Sequence, residues 1–297
     1  MGMHAQAKVR GLDIRPYAPA APQIPTVPAS VSYVCPSAEP LYNYMYEPPD
    51  GSPQHNCKYE LRTVSVADAR ALLLAPSIHA DGFELWDAPS NVPDFRDDDA
   101  VRRTYYEECA ELACAVTGGG RAYVFDHQVR KREAGRPSLT FGRHGDGSKP
   151  AAAGRIHTDY SENSGRRRLV LVLGAEKAAS VERFCIVNIW RSIAGPVRDT
   201  PLALCDARSV SASDLQPSEL RYTNRTGEIY LMSYSSRHRW FYYSAMDGHE
   251  ALVFKQYDSQ ISGVARYTPH AAFDLPKIPA DAPLRESIEV RCLVIMD

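Results

Sequence analysis

The 297-residue sequence is 44% hydrophobic and 24% charged, with a formal net charge of −2. Those values are ordinary for a globular protein and give no basic excess to attract nucleic acid. No apolar run approaches the ~18 residues of a membrane span. The seven cysteines (35, 57, 109, 114, 185, 205 and 292) include no C-x-x-C pair, and "MGMHAQAKVRGLDIRPY" has no apolar leader. Reduced thiols in a soluble, cytoplasmic protein are therefore expected rather than a disulfide framework or zinc ribbon.

Residues 1–30 ("RPYAPAAPQIPTVPAS") are rich in Pro and Ala and read as an extended arm. The aromatic, turn-rich text from 31 onward implies short extended pieces. "SVADARALLLA" (65–75) starts with a capping serine before helix formers, so a helix is expected there. The clearest helix is 97–120, with an acidic first turn, apolar residues at helical spacing and terminal glycines. "RAYVFDHQVRK" (121–131) reads as a strand, followed by a Gly-, Ser- and Lys-rich loop at 142–154. Residues 164–184 read mostly as helix. Strand signals then recur at 184–193, 201–211, 227–235, 238–245, 250–259 and 287–296. Short strands divided by Gly, Pro, Asp and Ser imply a mainly β fold with flanking helices around a double-stranded β-helix, or jelly-roll, core. We expect one domain over 1–297, with an extended and helical layer at 31–120 against a β core at 121–297.

The chemistry concentrates in "IHTDYSE" (156–162). Residues two apart on a strand share a face, so His157 and Asp159 can both look into the barrel. A later histidine would complete two imidazoles and one carboxylate, the set used by non-haem Fe(II) oxygenases. His238 in "SSRHRWFYY" is the expected third ligand, and His270 in "YTPHAAFDLP" is its strongest rival. Such oxygenases commonly take 2-oxoglutarate, whose far carboxylate needs a cation. A hairpin turning at Asp247-Gly248 would set His238 opposite Tyr257 and put Lys255 on the same face. Lys255, with the Tyr257 hydroxyl beside it, is thus the expected anchor; Arg191 is second and Arg291 third. A slip of one residue would turn Lys255 to the other face.

The blocks "HTDYS", "VNIWRSIAGPVRDTPLALCDARSV", "EIYLMSYSSRHRWFYY", "ALVFKQYDS", "TPHAAFDLP" and "RESIEVRCLVIM", in this order, resemble one family. It is that of the fungal gibberellin desaturase, the aspergillic acid hydroxylase and the cephamycin methoxylation protein. The resemblance runs from about residue 40 to the C-terminus and includes "DGFEL" and "VFDHQVR". It implies a non-haem iron oxygenase of secondary metabolism dependent on Fe(II) and 2-oxoglutarate, with iron at His157, Asp159 and His238. O2 and a small-molecule substrate are the expected partners, with succinate and carbon dioxide as co-products. A homo-oligomer or a partner enzyme is compatible with the family; nucleic acid and membrane are not expected. One departure is Ser192, where the family usually has proline after "WR". Because members hydroxylate, desaturate or close rings, the reaction subtype does not transfer. The alternatives are an iron oxidase that needs no 2-oxoglutarate and a non-catalytic metal-binding accessory protein. Tyr160 and the 142–154 loop are the expected substrate neighbour and lid.

Overall fold

The computed structural model describes residues 7–9, 12–16, 24–48, 51–135, 137, 139 and 152–296. In chain order, the strands of its first half are β1 (Ala7–Val9), β2 (Leu12–Pro16), β3 (Thr26–Val34), β4 (Leu41–Tyr44), β5 (Tyr59–Asp68), β6 (Phe83–Asp87), β7 (Arg121–Lys131) and β8 (His157–Thr158). The second half adds β9 (Phe184–Ser192), β10 (Leu202–Cys205), β11 (Leu215–Arg221), β12 (Thr226–Met232), β13 (Trp240–Tyr242), β14 (Glu250–Asp258), β15 (His270–Ala272) and β16 (Glu286–Ile295). They form a seven-stranded sheet, β1-β2-β6-β14-β9-β16-β7, and a nine-stranded sheet, β3-β5-β13-β10-β15-β8-β12-β11-β4. The second curls until Ser32 on its outermost strand bridges Arg155, just before β8. This is the jelly roll that the series of short strands implied.

The strands' alternation sorts side chains between two sides of the seven-stranded sheet. Phe83, Leu85, Trp190, Leu252 and Phe254 meet Leu202 and Leu204 of the other sheet in an inner core. Their alternates Val187, Ile189, Val253, Val290 and Cys292 meet the outer helix, where Leu112 and Val116 cover them. That helix begins at α1 (Asp98–Ala100), passes through one π turn and continues as α2 (Tyr106–Thr117). The Asp97 carboxylate accepts from the Asp99 and Ala100 amides at the start, and Gly118 ends the helix at φ 72°. The helix expected at 97–120 and the strand at 121–131 are both present.

Two expectations change. The segment 65–75 is not a helix: β5 runs to Asp68, and only Ala69–Ala71 makes a 3₁₀ turn. Pairing with β3 on one side and β13 on the other overrides the propensity of its Ala and Leu residues. Nor do β13 and β14 pair as a hairpin across Asp247-Gly248. The chain does turn there, with the Glu250 amide donating to the Asp247 carbonyl, but β13 enters the nine-stranded sheet and β14 the seven-stranded one. The 31–120 segment supplies strands to both sheets as well as the outer helix. The 142–154 loop lies, except for its last residues, outside the described residues.

Candidate metal centre

Strand order decides which residues meet. β8 lies between β15 and β12, and His157 stands directly across from His270, with ring centroids 4.5 Å apart. His157, Asp159 and His270 each offer a ligand atom, and these atoms all lie within 4.8 Å of one another. His238 is not with them. It precedes β13, which is separated from β8 by both β10 and β15. Its ring stacks on Tyr33 at 5.7 Å, and its Nε2 stands 3.2 Å from the Asp214 carboxylate. The late histidine that closes the set is therefore His270, on the strand that neighbours the H-x-D segment.

Each donor is held by a second contact. His157 Nδ1–H donates to the Arg155 carbonyl (2.8 Å) and His270 Nδ1–H to the Thr268 carbonyl (3.2 Å). Nε2 of both rings is thereby left to face the common point, the arrangement usual for metal-binding histidines. Asp159 receives Asn188 Nδ2–H and Arg291 Nε–H on Oδ2, both at 2.8 Å, so Oδ1 is turned to His157 at 3.5 Å. Its backbone amide donates to Gln256 Oε1 at 2.7 Å. Burial works to raise the Asp159 pKa, but Arg291 and the imidazoles outweigh it and hold the carboxyl well below the usual carboxylate range. Burial, with His157 beside it, pushes His270 down to about 3, so the ring is neutral and can donate a lone pair. Phe254 closes the dry side, edge-on to His270 at 4.8 Å. Two imidazole nitrogens and a carboxylate oxygen on one side of a point fit Fe(II) with open positions opposite.

Of the expected anchors of a co-substrate, Lys255, Tyr257 and Arg191 face elsewhere. Lys255 alternates with Phe254, so it points to the outer side of the sheet, where its Nζ pairs with Asp258 at 2.8 Å with both groups buried. This is the one-residue reversal to which the hairpin argument was exposed. After a bulge, Tyr257 packs in a separate cluster with Phe184 and Leu169 and donates to Glu162 at 2.9 Å. Arg191 alternates with Trp190 and spends its guanidinium on the Tyr105 hydroxyl and the Ala88 and Gly248 carbonyls. Arg291 is at the site, as the partner of Asp159.

A cation that sequence reasoning missed does reach the centre. Arg285, buried just ahead of β16, lines a void of about 20 Å³ together with His157, His270, Trp190, Arg130 and Glu289. Its Nη1 donates to the Thr200 carbonyl at 3.0 Å, while its buried Nε has no partner among the described residues. Burial, reinforced by Arg130, presses the guanidinium down to about 10, against the opposing pull of Asp199 and Glu289. The only sequence signal was an arginine heading an apolar strand, a pattern Arg291 also nearly satisfies.

On the open side His157 and Asp159 face a cavity of about 750 Å³, with Tyr160, Arg168 and Leu171 in its wall. The stretch carrying the latter two is α3 (Glu162–Leu173), which α4 (Ala175–Ala179) follows. The helix starts on a reciprocal Ser161–Ser164 cap, and Gly165 lets it lie against the Tyr257 ring, where a Cβ would come within 2.8 Å.

Comparison with known proteins finds iron-dependent oxygenases among the relatives of this chain. The family described as oxidoreductase/YMDC permease-like domain matches residues 31–295. The hydroxylase/desaturase CTB9 of Cercospora beticola is 31% identical, with 86% of each chain covered. The Fe(II)/2-oxoglutarate-dependent dioxygenase nvfI of Aspergillus novofumigatus is 32% identical, over 86% of this chain and 91% of that one. The solved iron and alpha-ketoglutarate-dependent endoperoxidase NvfI superposes with a TM-score of 0.80 at 28% identity, covering 91% of this chain and 98% of that one.

Proposed function

This chain belongs to the oxidoreductase/YMDC permease-like family and, within it, to the Fe(II)/2-oxoglutarate-dependent oxygenases of secondary metabolism, and from that premise we propose how its residues divide the work. The observation that carries the reading is the convergence of His157, Asp159 and His270. These three hold Fe(II), in place of the set ending at His238. With 2-oxoglutarate and O2, the iron supplies the oxidation of an unactivated C–H bond of a small natural-product intermediate, by hydroxylation, desaturation or ring closure, and releases succinate and carbon dioxide.

The protein's own part is placement and exclusion of water. Asn188 and Arg291 fix Oδ2 of Asp159, so the carboxylate presents one oxygen to the metal and stays ionised. Arg285 takes the far carboxylate of 2-oxoglutarate. It is buried, it has an N–H without a partner among the described residues, and it lines the same void as both ligand histidines. The void has room for a carboxylate end, not for a whole dicarboxylate. Trp190 and Phe254 keep the closed side dry, and Tyr160 faces the substrate. No described helix is long and apolar enough to cross a membrane, and all seven cysteines are free thiols. On the free thiols we place the chain in the reducing cytoplasm, and we read it as one oxygenase domain.

Anaerobic loading with Fe(II), followed by a visible-light titration with 2-oxoglutarate, tests the reading. A charge-transfer band in wild type that needs a higher 2-oxoglutarate concentration in Arg285→Gln supports it. Bound iron without any band would remove 2-oxoglutarate from the reaction.

A further inference from the structure

The wall of the 750 Å³ cavity carries Arg130, Arg167, Arg168, Arg225 and Arg291 against Asp126, Asp159 and Glu228. The acids are engaged within the protein. Asp126 pairs with Arg291 at 3.2 Å, Asp159 belongs to the metal set, and Glu228 accepts from Ser161 and from Asn163. The arginines are less evenly served. Among the described residues, Arg167, Arg168 and Arg225 have no carboxylate within ion-pair distance. Arg167 donates only to the Thr226 carbonyl, at 3.0 Å.

Two of these guanidiniums are held without spending their N–H groups. Arg168 lies over the Phe125 ring at 4.6 Å and near Tyr160 at 5.8 Å, and its buried Nε has no partner among the described residues. Arg225 lies over the Tyr222 ring at 4.1 Å. A ring face fixes the plane of a guanidinium while its in-plane donors stay open, which pre-organises a fork for a planar anion. The same wall also carries the side chains of Tyr160, Tyr222, Leu171 and Leu220. Arg168 and Leu171 also border a second cavity of about 560 Å³, so Arg168 stands where the two meet.

We propose that the substrate is an organic acid, an apolar skeleton carrying one anionic group, with Arg168 and Arg225 receiving the anion and the aromatic wall receiving the skeleton. This rests on the oxygenase reading above and names the substrate class of the same site. The cavity volume suits a ligand of drug-like size.

The test uses the protein loaded anaerobically with Fe(II) and 2-oxoglutarate, and two fluorescent probes of similar shape. One is the anion 8-anilinonaphthalene-1-sulfonate; the other is its uncharged analogue N-phenyl-1-naphthylamine. Wild type should bind the anion at least tenfold more tightly, with the preference shrinking as salt is raised. Arg168→Gln/Arg225→Gln should erase that tenfold preference while leaving the neutral probe within twofold, and Arg168→Lys should retain part of it. Equal affinities in wild type, an undiminished preference in the double variant, or equal loss of both probes would each overturn the proposal. The iron–2-oxoglutarate band is read in the same samples. Its absence from wild type would count against the oxygenase reading, whereas its persistence in the double variant confines the effect of the substitutions to the anion site.

Discussion

Asn188→Leu separates what the metal site needs from what the fold needs. Asn188 is fully buried, and its Nδ2–H donates to Asp159 Oδ2 at 2.8 Å, while its own Oδ1 has no partner among the described residues. Replacing it with a leucine of similar size removes a hydrogen bond to a charged group, a loss of ~1.5–3 kcal/mol. The same change removes a buried, unsatisfied carbonyl, which relieves ~1–3 kcal/mol. The two nearly cancel, so the metal-free variant should unfold within ~1.5 kcal/mol of wild type. Arg291 alone would then orient the carboxylate, and losing an outer contact of this kind typically lowers metal affinity ~10–100-fold. Thermal unfolding of the metal-free protein and a titration with Co(II), followed in the visible, measure the two effects. A Co(II) affinity within twofold of wild type would refute the reasoning by showing that Arg291 suffices. A stability loss beyond ~3 kcal/mol would refute the cancellation.

Four further outcomes follow from the same geometry. His270→Ala should lose Co(II) binding and succinate release, whereas His238→Ala should keep both, because its ring contacts Tyr33 and Asp214 instead; metal titration of the two variants decides. Arg285→Gln should raise the KM for 2-oxoglutarate by tenfold or more while leaving Co(II) affinity unchanged. Gly165→Ala should cost ~1–3 kcal/mol through overpacking on Tyr257, seen as a lowered Tm, and Tyr257→Leu in the same chain should restore part of it. In the metal-free protein, His270 at about 3 against 6.5 when unfolded means that the unfolded chain binds a proton the folded one refuses. Stability should fall as pH drops from 6.5 toward 3, and His270→Gln should flatten that slope in unfolding curves recorded across the range.

Local periodicity made the core strands legible. β7, β9, β12, β14 and β16 lie where β-branched and aromatic runs were bounded by turn residues, and the outer helix lies between an acidic cap and glycines. What it could not supply was partnership. The "SVADARALLLA" segment has helical composition, yet β3 and β13 claim its first residues on either side, and nothing within the segment records those neighbours. The Asp247-Gly248 turn was read correctly as a reversal of the chain. A turn between two strands, however, is compatible with pairing in one sheet or with crossing from one sheet to the other.

The site shows the same division between local and long-range information. His157 and Asp159 were legible because their spacing is local, and a strand's period of two fixes their common side. The third ligand depends on which late strand lies beside β8, a property of the whole sheet. Lys255 and Arg191 failed for a related reason. Each alternates with an inward neighbour, Phe254 and Trp190, so one residue of register separates the iron side from the helix side. Both charges looked conspicuous within apolar strands because they are buried, but burial on the outer side is satisfied by Asp258 in one case and by Tyr105 and two backbone carbonyls in the other. Arg285 differs in having a buried N–H with no partner among the described residues. That distinction between a buried cation with its partners and one without becomes visible only when both sheets are in place, and it is what points from the protein toward its co-substrate.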